Sequence, residues 1–364
     1  MLALLALATL SPKPLVLAHY MPWYVAKPYS KEWGWHWTMN KFDPDKGQIA
    51  SQYHPLIGPY DSSDPDVIEY EVLTMKLSGI DGAIIDWYGY DDVYDYATNH
   101  RNTLKFIEVL KKAGMKFAIC YEDQTLPNLI KFGKVKEQDA VPYAQKLVGW
   151  MKDNWFSSPS YVKLNGKPLF LVFGPQYYKA PQWKEILGGQ NINSFGVMFD
   201  HDSMTGGFAW PNPNGGMEKC NADYNAFYDR AKKWPIFVAG AYPRFNDVYE
   251  KAGIHPTYGV VDDRKGQTFA DTFKQALASK APVIQLITWN DWGEGTAIEP
   301  STEFGYRDVK VVQALANTYK PSDLDLPFRL YKLRKAGKNV DRASQALFKG
   351  RIAEAAKALE NSSR

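Results

Sequence analysis

The sequence predicts a (β/α)8 barrel, and three observations carry that prediction. Short apolar, β-branched runs alternate with longer stretches whose apolar residues recur at helical spacing. The residues just after those runs are polar and aromatic, as they are where a barrel gathers its site at the strand C-termini. No G-x-G-x-x-G or Walker sequence follows any run, which removes the main motifs of the rival, a doubly wound open sheet. At 364 residues the chain exceeds one small domain, yet a barrel of about 250 residues with insertions accounts for most of it.

Seven strands are clear, over residues 14–20, 80–86, 115–121, 168–173, 195–199, 235–241 and 282–288, and a weaker eighth is expected near Thr257–Val261. Amphipathic helices are predicted between them over Asp66–Ser78, Asn102–Ala113, Ala140–Asn154 and Phe269–Ser279. The segment His201–Asn225, rich in Gly, Pro and Asn, is too long for a plain connection and reads as a lid, a subsite wall or a surface loop. Beyond Pro321 the barrel pattern stops. Phe328–Ala336 and Arg342–Glu360 look like two helices, the second with Ala343, Leu347, Ile352, Ala355 and Leu359 on one face. The expected division is therefore a barrel over residues 12–320 and a helical extension, packed on it, over 321–364. Met1–Leu10 resembles the apolar region of a signal peptide without its basic flank, so residues 1–11 are read as a truncated export signal and the protein as secreted or periplasmic. That stretch is too short to span a bilayer, which takes about 20 residues, and no later segment qualifies.

Lysine plus arginine number 43 against 40 acids, a net charge of +3 that is too even for a nucleic-acid or anionic-membrane partner. With 12 Trp, 23 Tyr and 18 Phe, aromatics make up 15% of the chain, and several stand in polar, loop-like stretches where burial does not explain them. Rings of this kind stack on the apolar faces of sugars, so a neutral oligosaccharide or polysaccharide is the expected partner of a monomeric protein. Cys120 and Cys220 are the only cysteines; they exclude a disulfide framework and leave one bridge open.

The chemistry is concentrated after the strand Pro282–Ile287. In Thr288–Pro300, Asp291, Glu294 and Glu299 are interleaved with Trp289, Trp292 and two glycines. Glycoside cleavage needs one carboxylic acid to protonate the departing oxygen and a second carboxylate as base or nucleophile. If the chain turns helically, Asp291 and Glu294, at i and i+3, have Cβ atoms roughly 5–6 Å apart and address one bond. An isolated D-x-x-E more often caps a loop, so the assignment rests on context.

That context is a resemblance. Trp289-Asn-Asp-Trp-Gly-Glu-Gly-Thr-Ala-Ile-Glu299 resembles the W-N-E-W-x-E-G-T-x-I-E signature of glycoside hydrolase family 99, the endo-α-mannosidases, and the W-N-D-x-G-E-S stretch of the related family 71, the α-1,3-glucanases. Both families are (β/α)8 barrels. A second likeness to family 99 is Met21-Pro-Trp-Tyr24 after the first strand and Glu122 after the third; with Gly58-Pro-Tyr60 and Ala113-Gly114 the similarity runs from about Leu15 to Tyr306. The resemblance implies Asp291 and Glu294 as the catalytic pair, with Glu294 the general acid. Asp291 would then remove a proton from the substrate's 2-hydroxyl, as in family 99, or activate water, as in family 71. Its Asp, where family 99 has Glu, matches family 71.

The expected activity is hydrolysis of an α-linked glycan, mannan-like or glucan-like. A barrel that binds glycans without cleaving them, and a polysaccharide-assembly protein with a similar W-N-E-W segment, are the alternatives. Substrate contacts are expected from Tyr20, Trp23, Tyr24, Asp86, Trp87, Glu122, Tyr242, Trp289, Asn290, Trp292 and Glu299, with Glu122 and Tyr242 on the cleft walls. Asp86 reads equally well as a loop cap. No cofactor and no metal are expected, since His36 and His201 are scattered and the nearest candidate, Asp200-His-Asp202, reads as a hydrogen-bonded loop.

Overall fold

The computed structural model describes residues 13–316 and 318–363. The expected export signal at residues 1–11 lies outside them. Eight parallel strands close a barrel: β1 (Leu15–Tyr20), β2 (Gly82–Trp87), β3 (Lys116–Tyr121), β4 (Lys167–Val172), β5 (Asn193–Val197), β6 (Gly206–Phe208), β7 (Val238–Ala241) and β8 (Val283–Leu286). Each pairs with its neighbours in chain order, and β8 closes on β1 through Leu15↔Val283 to Ala18↔Leu286. Their burial on both faces follows from that closure, since side chains point alternately into the barrel and toward the helices outside it.

Helices follow most strands: α1 (Pro65–Leu77), α2 (Tyr96–Lys112), α3 (Ala140–Met151), α4 (Ala180–Leu187), α5 (Gly216–Ala231), α6 (Gln267–Ala278) and α7 (Arg307–Ala316). Pro65 at the start of α1 and the Asp64 side chain, which accepts from Asp66 N, set that helix's first turn.

The eighth strand is not where the sequence pattern suggested. Thr257–Val261 contributes only Val260–Val261, an antiparallel partner of Phe245–Asn246 outside the barrel. The missing strand is Gly206-Gly-Phe208, inside the segment read as a lid. Its neighbour β5 joins it without a helix, and two glycines gave no apolar alternation to detect. The rest of that segment is largely α5, and only Trp210, Pro211 and Pro213 form a wall.

At the C-terminus, α8 (Leu326–Lys335), α9 (Asp341–Phe348) and α10 (Ile352–Ser363) replace the two helices expected; Gly350, at φ +69°, breaks the second one. Helix α8 packs on α1, where Lys335 meets Asp64 at 2.7 Å and Asp66 at 2.9 Å, and Arg334 meets Glu69. Cys120 and Cys220 are both buried free thiols. Among the described residues no helix is long and apolar enough to cross a membrane.

Candidate active site

The loop that follows β8 is a tight, internally bonded turn. Thr288 Oγ1 accepts Asp291 N at 2.7 Å, and Asp291 Oδ1 accepts Glu294 N at 2.9 Å. Gly295 sits at φ +70°, with Asn246 O packed where a Cβ would lie, 2.7 Å away. The side-chain amide of Asn290 pins this turn to the end of β1: Met21 N donates to its Oδ1 at 2.8 Å, and its Nδ2 donates to Met21 O at 3.0 Å. Tyr24 completes the clamp, its hydroxyl donating to Asn290 O at 2.9 Å and accepting Trp292 N at 3.1 Å.

So held, the turn sends Asp291 and Glu294 into one cleft of about 360 Å³ at the strand C-terminal face. Glu122, at the end of β3, stands on its wall and accepts a hydrogen bond from Gln124. Trp23 also lines it, stacked on His36 with ring centroids 4.2 Å apart. Two larger hollows on the flanks, of about 520 and 590 Å³, contain neither member of the acid pair.

Several expected contacts lie elsewhere, for reasons of strand alternation and packing. Tyr20 and Trp87 end their strands pointing outward: Tyr20 stacks on Phe106 at 3.8 Å and donates to Glu71, and Trp87 packs among His100, Trp150 and Trp155. Tyr242 also points outward, toward Cys220 and Asn221 of α5, and is not on the cleft wall. Tyr24, Trp289, Asn290 and Trp292 are buried behind the turn and position it. Glu299 is buried too, accepting from Tyr60 at 2.8 Å. Asp86 faces the barrel interior without lining the cleft.

The walls also include residues that are not among the expected substrate contacts: Tyr88, Gln124, Phe173, Gln176, Trp210, Phe245, Tyr249 and Tyr258, with His19 and Met21. Tyr249 matters most, because its hydroxyl points at Glu294 Oε1 from 3.5 Å. It lies in the loop between β7 and α6, eight residues past the end of the strand, where the sequence carries no strand-end signal.

Burial governs the electrostatics, since no lysine or arginine lines this cleft. It pushes Asp291 up to about 6, against hydrogen bonds from the Glu294 and Gly293 amides that favour the ionised form. Glu294 is raised well above the usual carboxylate range by burial and then by the Asp291 charge. Burial likewise lifts Glu122 to about 8.

Fold and site together define a (β/α)8 barrel with a carboxylate-bearing, aromatic-walled cleft at its strand C-terminal face. Comparison supplies the particular likeness. No family model matches the chain. It is 24% identical over 311 residues to the glycoprotein endo-alpha-1,2-mannosidase-like protein of Danio rerio, covering 78% of this chain and 66% of that protein. It is 22% identical over 290 residues to the glycoprotein endo-alpha-1,2-mannosidase of Xenopus laevis, covering 69% and 59%. The chain thus spans less than two thirds of the length of these curated relatives. The GH99 endo-alpha-mannosidase of Bacteroides thetaiotaomicron superposes with a TM-score of 0.63 at 19% identity, over 83% of this chain and 96% of that one. The same enzyme in complex with bis-tris-propane gives 0.61 at 20% identity, over 83% and 95%. The resemblance to family 99 and the barrel class are both borne out.

Proposed function

We propose that this protein is a glycoside hydrolase of the family 99 kind, cleaving an α-linked, mannan-like glycan. The observation that carries the reading is that Asp291 and Glu294 open into one cleft in environments that separate their acidities. Asp291 is the member that ionises first and Glu294 the one that keeps its proton to higher pH, the division that acid and base roles require. Glu294 is the general acid toward the departing oxygen, and Asp291 the base. The aromatic rings of Trp23, Tyr88, Trp210 and Tyr258 offer stacking surfaces for sugar, and Glu122 and Gln124 offer hydrogen-bond partners for hydroxyls. The mannose preference rests on the likeness to the two endo-alpha-1,2-mannosidase relatives.

The anomeric configuration of the first product tests the role of Asp291. Retention assigns it to the substrate's 2-hydroxyl, and inversion to water. Digestion of a panel of α-linked manno- and gluco-oligosaccharides tests the reading itself: internal cleavage of the α-mannosides supports it. Binding without cleavage across the panel would replace it with a glycan-binding barrel.

A further inference from the structure

We propose a zinc-type cation site inside the barrel, at the floor of the cleft, held by His19, Asp86 and Cys120. The three come from β1, β2 and β3, and Asp86 and Cys120 are register partners on adjacent strands. Their ligand atoms lie within 4.8 Å of one another, and all three side chains are buried. Among the described residues this is the one His, Cys, Asp or Glu set so gathered.

Asp86 supplies the independent observation. It is 2% exposed, and among the described residues neither carboxylate oxygen has a partner at hydrogen-bond distance and angle, the Tyr88 hydroxyl being the side-chain donor beside it. Among the described residues no lysine or arginine comes within ion-pair distance of it; the nearest basic group is His19, with Nε2 4.0 Å from Asp86 Oδ1. A buried carboxylate left this way is strongly disfavoured unless a proton or a cation neutralises it. His19 is set up to accept a metal rather than a proton. Its Nδ1 faces Gln285 Oε1 at 3.1 Å, and Gln285 Nε2 donates to Ala209 O at 3.4 Å, which orients the amide so that Nδ1 carries the hydrogen. The Nε2 lone pair then points toward Asp86, the outer-shell arrangement that metal-bound histidines use.

The donor set selects the metal. Nitrogen, oxygen and sulfur together suit zinc or cobalt, whereas magnesium and calcium take oxygen alone. Bonds of about 2.0–2.3 Å place tetrahedral donors roughly 3.3–3.7 Å apart, so the side chains draw in by about an ångström or less on binding. Charge balances: Cys120 and Asp86, both favoured in the protonated form by burial, release their protons to solvent on binding, and the resulting thiolate and carboxylate offset the dication beside a neutral His19. A fourth position is left to water from the cleft that His19 lines. The candidate site is empty in this structure.

The test uses the full chain, stripped with chelator and dialysed separately against Zn²⁺ and Co²⁺. One bound equivalent is expected, with a thiolate-to-cobalt charge-transfer band in the near ultraviolet. Cys120→Ser abolishes that band, Cys220→Ser keeps it, and Asp86→Asn weakens affinity at least tenfold. Should Cys120→Ser fail to fold, the cobalt band persisting in Cys220→Ser assigns the sulfur by itself. The proposal is overturned if the protein reloaded by dialysis binds less than stoichiometric metal, if the band is absent, or if it disappears in Cys220→Ser.

Discussion

At the residue scale, Glu294 and Asp291 are chemically similar side chains held in different surroundings, and the proposed acid and base roles rest on that difference. Glu294→Gln keeps shape while removing the transferable proton, so turnover should fall by about 10² to 10⁴ on a natural glycoside. A substrate with an activated leaving group should regain much of that rate in Glu294→Gln, whereas Asp291→Asn should remain impaired on both; steady-state kinetics on the two substrates decide it. The pH profile follows from the same environments. As base, Asp291 must be ionised, so kcat/KM rises as pH climbs through about 6. As acid, Glu294 must hold its proton, so the rate falls again above the usual carboxylate range. The Tyr249 hydroxyl favours the Glu294 carboxylate, and Tyr249→Phe should therefore move the alkaline limb to higher pH. A limb that stays in place or moves lower contradicts that contact. The acid pair was legible because one loop carries both residues. His19, Asp86 and Cys120 were not, because 67 and 34 positions separate them in the chain and only strand register brings them together.

At the element scale, the turn after β8 is held as a unit, which is why so many of its residues proved to be supports. Its Trp289, Asn290 and Trp292 looked like sugar contacts, since a motif rich in indoles and carboxylates does not say which side chains face the cleft. Packing decides that: Tyr24 and Tyr60 take up polar atoms of Asn290 and Trp292, leaving Asp291 and Glu294 to face the cleft. Gly295 is the tightest point. Gly295→Ala should cost roughly 1–3 kcal/mol through left-handed strain and the clash with Asn246 O. The unfolding midpoint should fall and kcat with it, and an unchanged midpoint would show that the turn accommodates a Cβ. Of the strand-end residues expected to meet substrate, Trp23 and Glu122 line the cleft, whereas Tyr20, Trp87 and Tyr242 face away from it. A one-residue difference at a strand end reverses the face a side chain takes, and the sequence does not locate strand ends that finely.

At the scale of the whole molecule, the barrel was legible because seven of its strands carry β-branched apolar runs, while β6 carries glycine in their place. The interior also stores protonated carboxyls outside the cleft. Burial lifts Glu71 from 4.5 to about 8, so it stays protonated in the fold where the unfolded chain would ionise it. Because the native state then binds the extra proton, stability falls as pH rises from about 4.5 to about 8. Glu71→Gln removes this contribution, and its unfolding midpoint relative to wild type should climb across that window; parallel curves would mean Glu71 titrates as freely as in the unfolded chain. Whether the barrel uses its paired acids to cut an α-linked glycan is decided by product analysis of α-manno-oligosaccharides digested by wild type and Glu294→Gln. Internal cleavage by wild type and binding with little cleavage by the variant are expected. Equal cleavage by both proteins, or none by wild type, would contradict that reading.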